Sequence, residues 1–228
     1  MRLLEVRGLS KSFSPVRGLT VSARVLDLFR NGSEGQRPVP VLDKVDLSVE
    51  SGECVAVVGL NGTGKSTLLR CIAGVMAPSG GSVSHQGRFL ALLCHGFGNY
   101  EDLTVDHNIR LALQLFGLTR REATGRIRDV AKFAGITHRL NYPASQLSEG
   151  MRAKLALCCL EMVSFDLLVL DESLSHVDSE FRETFLELTR KWMASGRSVL
   201  MTSHDEGIVG RFATRKLELR DRKLLPRP

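Results

Sequence analysis

The sequence predicts an α/β protein with a mostly parallel core sheet, an antiparallel β part and a helical insertion. Three short apolar runs, at 54–58, 167–170 and 198–201, are continuous in the way of strands buried on both faces of a parallel sheet. Helical periodicity fills the middle of the chain, from about 108 to 134 and again from 151 to 162. Strands and helices thus alternate on either side of a helical middle, which is typical of a parallel core that carries a helical insertion.

Composition narrows the class of protein. The 228 residues are 43% hydrophobic and 25% charged, which supplies enough apolar material for a substantial core and argues against wholesale disorder. No apolar run approaches the ~20 residues needed to cross a bilayer, and the first residues lack the apolar core of a secretory signal, so we expect a cytosolic protein. The formal net charge of +6 favours anionic partners such as nucleotides, nucleic acid or acidic lipid head groups.

Local patterns predict the remaining elements. Strands are expected at Leu3–Val6 and Val41–Val49, and the polar segment between them is interpreted as a loop insertion over about 14–40 with a short helix at Val25–Arg30. The turn signal Pro78–Gly81 predicts a hairpin-like section. None of the five cysteines forms a CxxC pair or a metal-ligand spacing with histidine, so we expect buried free thiols. These cysteines are Cys54, Cys71, Cys94, Cys158 and Cys159.

A glycine-rich turn follows the first buried strand and precedes a helix, which is the context that a P-loop requires. Its glycines let backbone N–H groups wrap around a chain of phosphates, and the helix that starts near Lys65 adds its positive end. Lys65 supplies a cation to the β- and γ-phosphates, and the Ser66 hydroxyl is placed to ligate Mg²⁺. The predicted nucleotide-binding residues are Gly59, Asn61, Gly62, Thr63, Gly64, Lys65, Ser66 and Thr67.

Two further strands end in polar side chains. The run 167–170 leads into Asp171 and Glu172, and a buried strand of a parallel sheet delivers such groups to the phosphate edge. There Asp171 can hold Mg²⁺ through water, and Glu172 can polarise an attacking water. The run 198–201 leads to His204, which can reach a γ-phosphate as a donor or position Glu172. The candidate catalytic residues are therefore Lys65, Glu172 and His204.

A third turn, Leu147 to Met151, precedes the helix at 151–162. Ser148 is placed as an N-cap and Gly150 permits close backbone approach, so this turn could hold a second phosphate. By itself this turn is an ordinary helix start, and its interpretation as a phosphate site depends on the other motifs in the chain.

In chain order, the motifs are the P-loop, Leu147–Met151, Asp171-Glu172, Ser175–Asp178 and His204. This ordered set resembles the nucleotide-binding domains of ABC transporters, and the resemblance runs from about Leu3 to Leu225. It implies one P-loop NTPase domain over 1–228 that hydrolyses ATP with Mg²⁺. The implied boundaries are a core with an antiparallel β subdomain at about 1–93 and 160–228, and a helical subdomain at about 100–158.

The same resemblance implies partners. A second copy of the chain would pack head to tail, so that Ser148, Gly150 and Met151 of one copy face the nucleotide of the other, and Ser175–Asp178 would cross the interface. An integral membrane subunit would be the second partner, and no nucleic acid is expected. The protein would then be peripheral, on the cytoplasmic face of the inner membrane.

Two details resemble the branch that exports capsule, O-antigen, teichoic acid and related polymers. The turn at 147–151 continues as Gly150-Met151-Arg152 where most relatives have Gly-Gln, and the insertion at about 14–40 splits the first strand from the next. We therefore expect an ATPase that powers export of a polysaccharide or related cell-surface polymer. The alternatives are an ATPase of another transporter, such as a small-solute importer, and a soluble ABC ATPase in DNA repair or translation.

Two positions depart from the family pattern. The loop at 93–100 normally presents a Gln, or a Glu in this branch, that completes the Mg²⁺ shell, and here Cys94 or His95 holds that place. The adenine platform, commonly a tyrosine, would be Phe13, which can stack equally well. A phenylalanine packed in the core is the alternative interpretation of Phe13.

The surface that contacts a membrane partner is expected around 94–106 and the helix that follows it. A short partner helix would lie in a cleft beside an apolar stripe of that helix, although the same stripe also fits plain core. The stripe consists of Leu111, Leu113, Leu115 and Phe116.

Overall fold

The computed structural model of the protein describes residues 1–14, 38–93, 100–172, 177–203 and 206–227. The strands are β1 (Arg2–Phe13), β2 (Val39–Glu50), β3 (Cys54–Val58), β4 (Gly80–His85), β5 (Phe89–Leu92), β6 (Leu167–Asp171), β7 (Ser198–Thr202), β8 (Arg215–Arg220) and β9 (Lys223–Arg227). The helices are α1 (Lys65–Ile72), α2 (Val105–Leu115), α3 (Arg120–Ala134), α4 (Glu149–Glu161), α5 (Ser179–Ala194) and α6 (Glu206–Phe212).

The core sheet has the strand order β5-β6-β7-β3-β8-β9. Its neighbours from β5 to β8 pair in parallel, and β9 pairs antiparallel with β8. Every residue of β3, β6 and β7 is buried, which explains their uninterrupted apolar runs. Because these three strands are parallel neighbours, their carboxyl ends lie side by side at one edge of the sheet.

The second sheet has the order β2-β1-β4 and is antiparallel throughout, as the predicted fold class requires. The hairpin expected around Pro78–Gly81 is wrong. β4 pairs with β1 in this sheet, whereas β5 pairs with β6 in the core sheet, so the two strands belong to different layers. A turn signal reports where the chain reverses, but the partner of the next strand is decided by packing against distant elements. The sequence analysis also missed β8 and β9.

The helical middle of the chain consists of α2, α3 and α4. The periodicity over 108–134 comes from two helices, which separate around Gly117. The stripe expected beside a docking cleft divides in the same region. Leu113 and Phe116 are buried in the core, while Leu115 at the end of α2 is 71% exposed. For Leu113 and Phe116 the core interpretation is therefore the correct one.

Two hydrophobic clusters cover the two faces of the core sheet. Alternate residues of β3 enter different clusters: Ala56 lies in the cluster with the helical middle, and Val55 and Val57 lie in the cluster with the antiparallel sheet. Cys54, Cys71, Cys158 and Cys159 are buried free thiols, as predicted. Among the described helices, none combines the length and apolar character that crossing a membrane requires.

Several predictions concern residues outside the described ranges. They include the helix at Val25–Arg30 with most of the insertion, the pair Cys94 and His95, the residues Ser175 and His176, and His204.

Candidate active site

The P-loop connects β3 to α1 at the carboxyl edge of the core sheet. A Cβ on Gly59 would lie 2.7 Å from the Leu219 carbonyl oxygen, and a Cβ on Gly64 would lie 2.8 Å from Val41 Cγ1. Both glycines have positive φ angles, 152° and 107°, which glycine adopts without the strain other residues incur. The turn is held between β2 and β8, and this packing sets the course of the backbone that would surround phosphates.

Lys65 is the charged centre of this turn. Its side chain is only 5% exposed, and its ammonium donates hydrogen bonds to the carbonyl oxygens of Gly59 at 2.9 Å and Leu60 at 3.1 Å. Glu172 Oε1 lies 3.7 Å from the same nitrogen. An ammonium has three donors and no acceptor, so phosphate oxygens can take the places that loop carbonyls occupy here.

The first turn of α1 is open to an anion. Its N-cap is Gly64, no side chain caps it, and it contains no acidic residue. The N–H groups of the first turn and the positive end of the helix dipole are therefore unopposed by any acidic side chain in that turn. Ser66 and Thr67 are half-buried at this end. Of the preceding residues, Asn61 and Gly62 are exposed and Thr63 is half-buried.

The acidic end of β6 is joined to β7 by a buried hydroxyl. Asp171 is 7% exposed, and Thr202 Oγ1 donates to its Oδ1 at 2.6 Å. The same hydroxyl oxygen accepts a hydrogen bond from Glu172 N at 3.2 Å. Thr202 therefore orients both acidic residues, a role that was not predicted from the sequence. Its position at the carboxyl end of a predicted strand, two residues before His204, was the available signal.

Glu172 has an unusual backbone conformation. Its φ angle is 49°, in the left-handed region that costs a residue with a Cβ roughly 1–2 kcal/mol. Strain of this kind persists where the surrounding structure imposes it, and it concentrates at functional sites. The side chain is 28% exposed and lies beside Lys65 at the phosphate edge. Glu172 is thus placed to contact both solvent water and the γ-phosphate region.

The oxygen donors at this edge fit a Mg²⁺ ion that is held largely by its substrate. Ser66 offers a hydroxyl and Asp171 a carboxylate held in orientation by Thr202. In the described ranges, no group of three or more His, Cys, Asp and Glu residues could hold a metal alone. Mg²⁺ commonly keeps several waters and binds through one or two protein oxygens together with phosphates. Ser66 and Asp171 would hold the ion, which would neutralise phosphate charge when bound.

The turn before α4 is the second candidate phosphate site. Ser148 Oγ accepts a hydrogen bond from Met151 N at 3.2 Å and so caps its own helix. A hydroxyl that accepts one bond can still donate one. A cavity of about 500 Å³ opens beside this turn, and its wall includes Gly150, Met151 and the cation Lys154.

Asp178 belongs to the segment expected to cross a dimer interface. Its Oδ1 accepts a hydrogen bond from Phe181 N at 2.7 Å, which caps α5. Asp178 and the buried Val177 also line the cavity beside Ser148. The end of this segment therefore lies next to the second candidate phosphate site.

Phe13 is the last residue of β1 and is 41% exposed. Lys11 Nζ lies 5.2 Å from the centroid of the ring. The core interpretation of this residue is therefore wrong, and the ring is available to stack on a ligand.

A buried amide that the sequence analysis missed holds the segment 100–104 against α2. Asn108 is 3% exposed, and its Nδ2 donates to the carbonyl oxygens of Tyr100, Leu103 and Thr104 at 3.0–3.2 Å. Its Oδ1 accepts a hydrogen bond from Tyr100 N at 3.2 Å. The sequence signal for this contact was a polar residue within the apolar stripe of the helix. A buried amide needs hydrogen-bond partners, so such a residue indicates a structural role.

These groups together suit the hydrolysis of a nucleoside triphosphate. The P-loop backbone and Lys65 can receive the phosphates, Ser66 and Asp171 can hold Mg²⁺, and Glu172 offers a partly exposed carboxylate beside Lys65. The class defined by the fold and the site is the P-loop NTPases. The ABC transporter family matches residues 42–175, more than half of the chain, so the chain belongs to the ABC transporter family. It is an ATPase that uses ATP and Mg²⁺.

Individual relatives agree with this assignment. The O-antigen export system ATP-binding protein RfbB of Klebsiella pneumoniae is 33% identical over 183 residues, which cover 80% of this chain and 74% of that protein. The teichoic acids export ATP-binding protein TagH of Lactococcus lactis subsp. lactis is 28% identical over 211 residues. That match covers 92% of this chain and 45% of TagH, so this chain spans less than half of the length of TagH.

A solved structure confirms the predicted fold. It is a dimeric ATP-binding cassette in a post-hydrolysis state, bound to ADP and phosphate, and its TM-score against this protein is 0.78. The match covers 97% of this chain and 96% of that chain at 20% identity.

Proposed function

We propose that this ATPase powers the export of a polysaccharide or related cell-surface polymer through a separate membrane subunit. The observation that carries the catalytic part is the approach of Lys65 to Glu172 at the edge where Asp171 ends β6. The proposal that the cargo is a polymer rests on the similarity to RfbB and TagH, whose names state export of O-antigen and teichoic acids. The chain would act as one nucleotide-binding domain with a helical subdomain at about 100–158.

In this proposal each residue of the edge has one role. Lys65 would neutralise the β- and γ-phosphates, and Ser66 and Asp171 would hold Mg²⁺, Asp171 through water. Glu172 accepts a proton from the attacking water as a general base. His204, which follows β7 by two positions in the sequence, would contact the γ-phosphate, and Phe13 would stack on adenine. Cys94 or His95 would complete the Mg²⁺ shell.

The catalytic form would be a head-to-tail dimer. The cavity beside Ser148 is lined by no residue of the P-loop 59–67, all of which the structure describes. A phosphate bound in this cavity would therefore come from a nucleotide on a second copy of the chain. Ser148, Gly150 and Met151 would contact it, and Ser175–Asp178 would cross the interface between the copies.

The membrane subunit would dock on a patch formed by Tyr100, Asp102, Leu103 and Tyr142, here called the docking patch. Its apolar side chains are exposed, by 57% for Tyr100, 37% for Leu103 and 51% for Tyr142. The two backbone segments that carry them are hydrogen-bonded side by side. The exposed acid Asp102 suits the excess of Lys and Arg in the cytoplasmic loops of membrane proteins. The protein would then lie on the cytoplasmic face of the inner membrane.

Co-expression with candidate membrane subunits tests this proposal. The wild-type chain should move to the membrane fraction beside its partner, and Tyr142→Lys should stay largely soluble because it places a cation against a basic loop. Val75→Lys, at an exposed apolar position beyond the end of α1, is the matched control and should bind as the wild type does.

The cargo is tested in the host. Loss of the chain, or its replacement by Lys65→Ala, should remove the polymer from the cell surface while synthesis continues inside. Unchanged surface polymer with loss of another solute's transport would indicate a different transporter. Binding to DNA or ribosomes with a steep salt dependence, and to no membrane protein, would contradict the transporter assignment.

A further inference from the structure

An ion pair joins the docking patch to the helix that follows Ser148. Arg152 Nη1 donates a hydrogen bond to Glu101 Oε1 at 3.1 Å. Arg152 directly follows Met151 in the first turn of α4, and Glu101 lies between Tyr100 and Asp102 of the docking patch. The pair therefore connects a surface assigned to the membrane partner with a turn assigned to the nucleotide of the second copy.

Backbone hydrogen bonds support the same connection. Ser145 N donates to the Glu101 carbonyl oxygen at 3.2 Å, and Ala144 N donates to that of Leu103 at 2.9 Å. The residues that follow Ser145 lead within three positions to Ser148. Asn108 holds the other side of the segment 100–104. A displacement of Glu101 thus has a short, hydrogen-bonded route to the start of α4.

The two partners of the pair differ in exposure. The Arg152 side chain is 24% exposed, whereas that of Glu101 is 60% exposed. The guanidinium is held largely within the protein while the carboxylate remains accessible beside the docking patch. A Lys or Arg of a bound partner can therefore compete with Arg152 for the oxygens of Glu101.

We propose that the Glu101–Arg152 pair transmits docking of the membrane subunit to the turn Leu147–Met151. This inference rests on the proposed function, because it requires a membrane subunit at the docking patch. When a basic partner residue takes the Glu101 carboxylate, the hydrogen bond between Arg152 and Glu101 breaks, and the first turn of α4 shifts against the nucleotide of the second copy. Glu101 and Arg152 are positioning residues, since neither is assigned a contact with nucleotide.

A charge-swap experiment tests the pair. ATP hydrolysis is measured in proteoliposomes with and without the membrane subunit for the wild type, Glu101→Arg, Arg152→Glu and the double swap. Exposed ion pairs contribute little individually, so stimulation by the membrane subunit should fall about two- to fivefold in each single variant. The double swap should restore it. If a reversed charge lowers Tm, the neutral variants Glu101→Gln and Arg152→Gln are used instead, and they should also reduce stimulation by the membrane subunit.

The pair Arg126–Asp129 on α3 is the matched control. Its charged atoms are 3.8 Å apart, and the two side chains are 56% and 57% exposed. Arg126→Glu, Asp129→Arg and their double swap should leave stimulation unchanged.

The outcomes separate this inference from the function on which it rests. A wild type that no membrane subunit stimulates overturns the proposed function, and this inference with it. A stimulated wild type whose single variants are stimulated equally overturns this inference alone. So does a double swap that fails to recover stimulation, because each residue would then act through other contacts.

Discussion

The helices α1 and α4 each begin with a turn assigned to phosphate, yet their first turns are built differently. The first turn of α1 has a glycine N-cap, no capping side chain and no acid. The first turn of α4 is capped by Ser148 and contains Glu149. The helices α2, α3 and α5 resemble α4, because each has an acidic residue in its first turn. Among the described helices of eight or more residues, α1 is therefore the exception.

This difference indicates which turn can bind phosphate alone. At α1 the open N–H groups, the helix dipole and the buried Lys65 all favour an anion. At α4 the Ser148 hydroxyl oxygen is already engaged as a cap, and Glu149 adds a negative charge. The α4 turn suits a phosphate whose charge is already neutralised by the P-loop of another copy. In the proposed dimer, one chain would thus contribute the P-loop part of one nucleotide site and, at α4, the facing half of the other, here called the half site.

The largest effect is expected from Glu172→Gln beside the P-loop. The amide keeps the shape and hydrogen bonding of the side chain but cannot act as a base. Turnover should fall by about 10²–10⁴-fold while ATP binding remains, and ATP should trap a dimer. Phosphate release and size-exclusion chromatography with ATP measure the two effects. Near-normal hydrolysis would refute the role of Glu172.

Lys65→Ala should weaken Mg-ATP binding by roughly ten- to a hundredfold, since hydrogen bonds to charged groups contribute about 1.5–3 kcal/mol. Lys154→Ala is the matched control, because Lys154 lies at the half site beside α4. Calorimetric titration of the isolated chain should show unchanged affinity for the control. Equal losses in both variants would contradict the conclusion that the P-loop binds nucleotide alone and the half site does not.

Thr202→Val removes the hydroxyl that donates to Asp171. Because groups that orient metal ligands commonly change metal affinity by 10–100-fold, the Mg²⁺ concentration for half-maximal hydrolysis should rise about tenfold. Thr202→Ser keeps the hydroxyl and should stay close to the wild type. A Mg²⁺ dependence that Thr202→Val leaves unchanged would mean that Asp171 is oriented by other contacts.

Ser148→Ala tests the half site. Hydrolysis by the dimer should fall about two- to tenfold, the contribution of one hydrogen bond, and unfolding should become easier by about 1 kcal/mol with loss of the cap. Thr119→Ala removes the cap of α3 and is the control. It should lower stability similarly and leave hydrolysis intact. Equal hydrolysis in the two variants would remove Ser148 from the site.

The smallest effect concerns the place that Cys94 or His95 is predicted to hold. Burial raises the pKa of the Cys54 and Cys158 thiols to about 12, and it also raises the pKa of Cys71 and of Cys159. These four thiols should therefore stay unreactive in the native protein near neutral pH.

A bulky thiol reagent should then label Cys94, with partial inhibition and protection by ATP, as mass spectrometry and hydrolysis assays can show. Cys94→Ser should be insensitive to the reagent. If His95 holds the place instead, His95→Ala should slow hydrolysis and weaken coupling to the membrane subunit. No effect from either change would point to another group, such as Asn99.

Predictions of local features from the sequence were more accurate than predictions of contacts between distant segments. Contiguous features were predicted well: the buried strands β3, β6 and β7, the P-loop between β3 and α1, and the cap by Ser148 depend on residues a few positions apart. The pairing between segments that are distant in the sequence was not predicted. β4 and β5 follow one another along the chain but belong to different sheets.

The sequence by itself determined the class of chemistry, the hydrolysis of a nucleoside triphosphate. A phosphate-binding turn and an acidic strand end each consist of a few consecutive residues, so both can be identified without the structure. Only the tertiary structure decided which distant groups support them. The hydroxyl of Thr202 holds Asp171 from 31 positions away, and Arg152 meets Glu101 from 51 positions away. The physical reason is that such contacts depend on the packing of whole strands and helices, which buries one side chain beside another without leaving a local pattern.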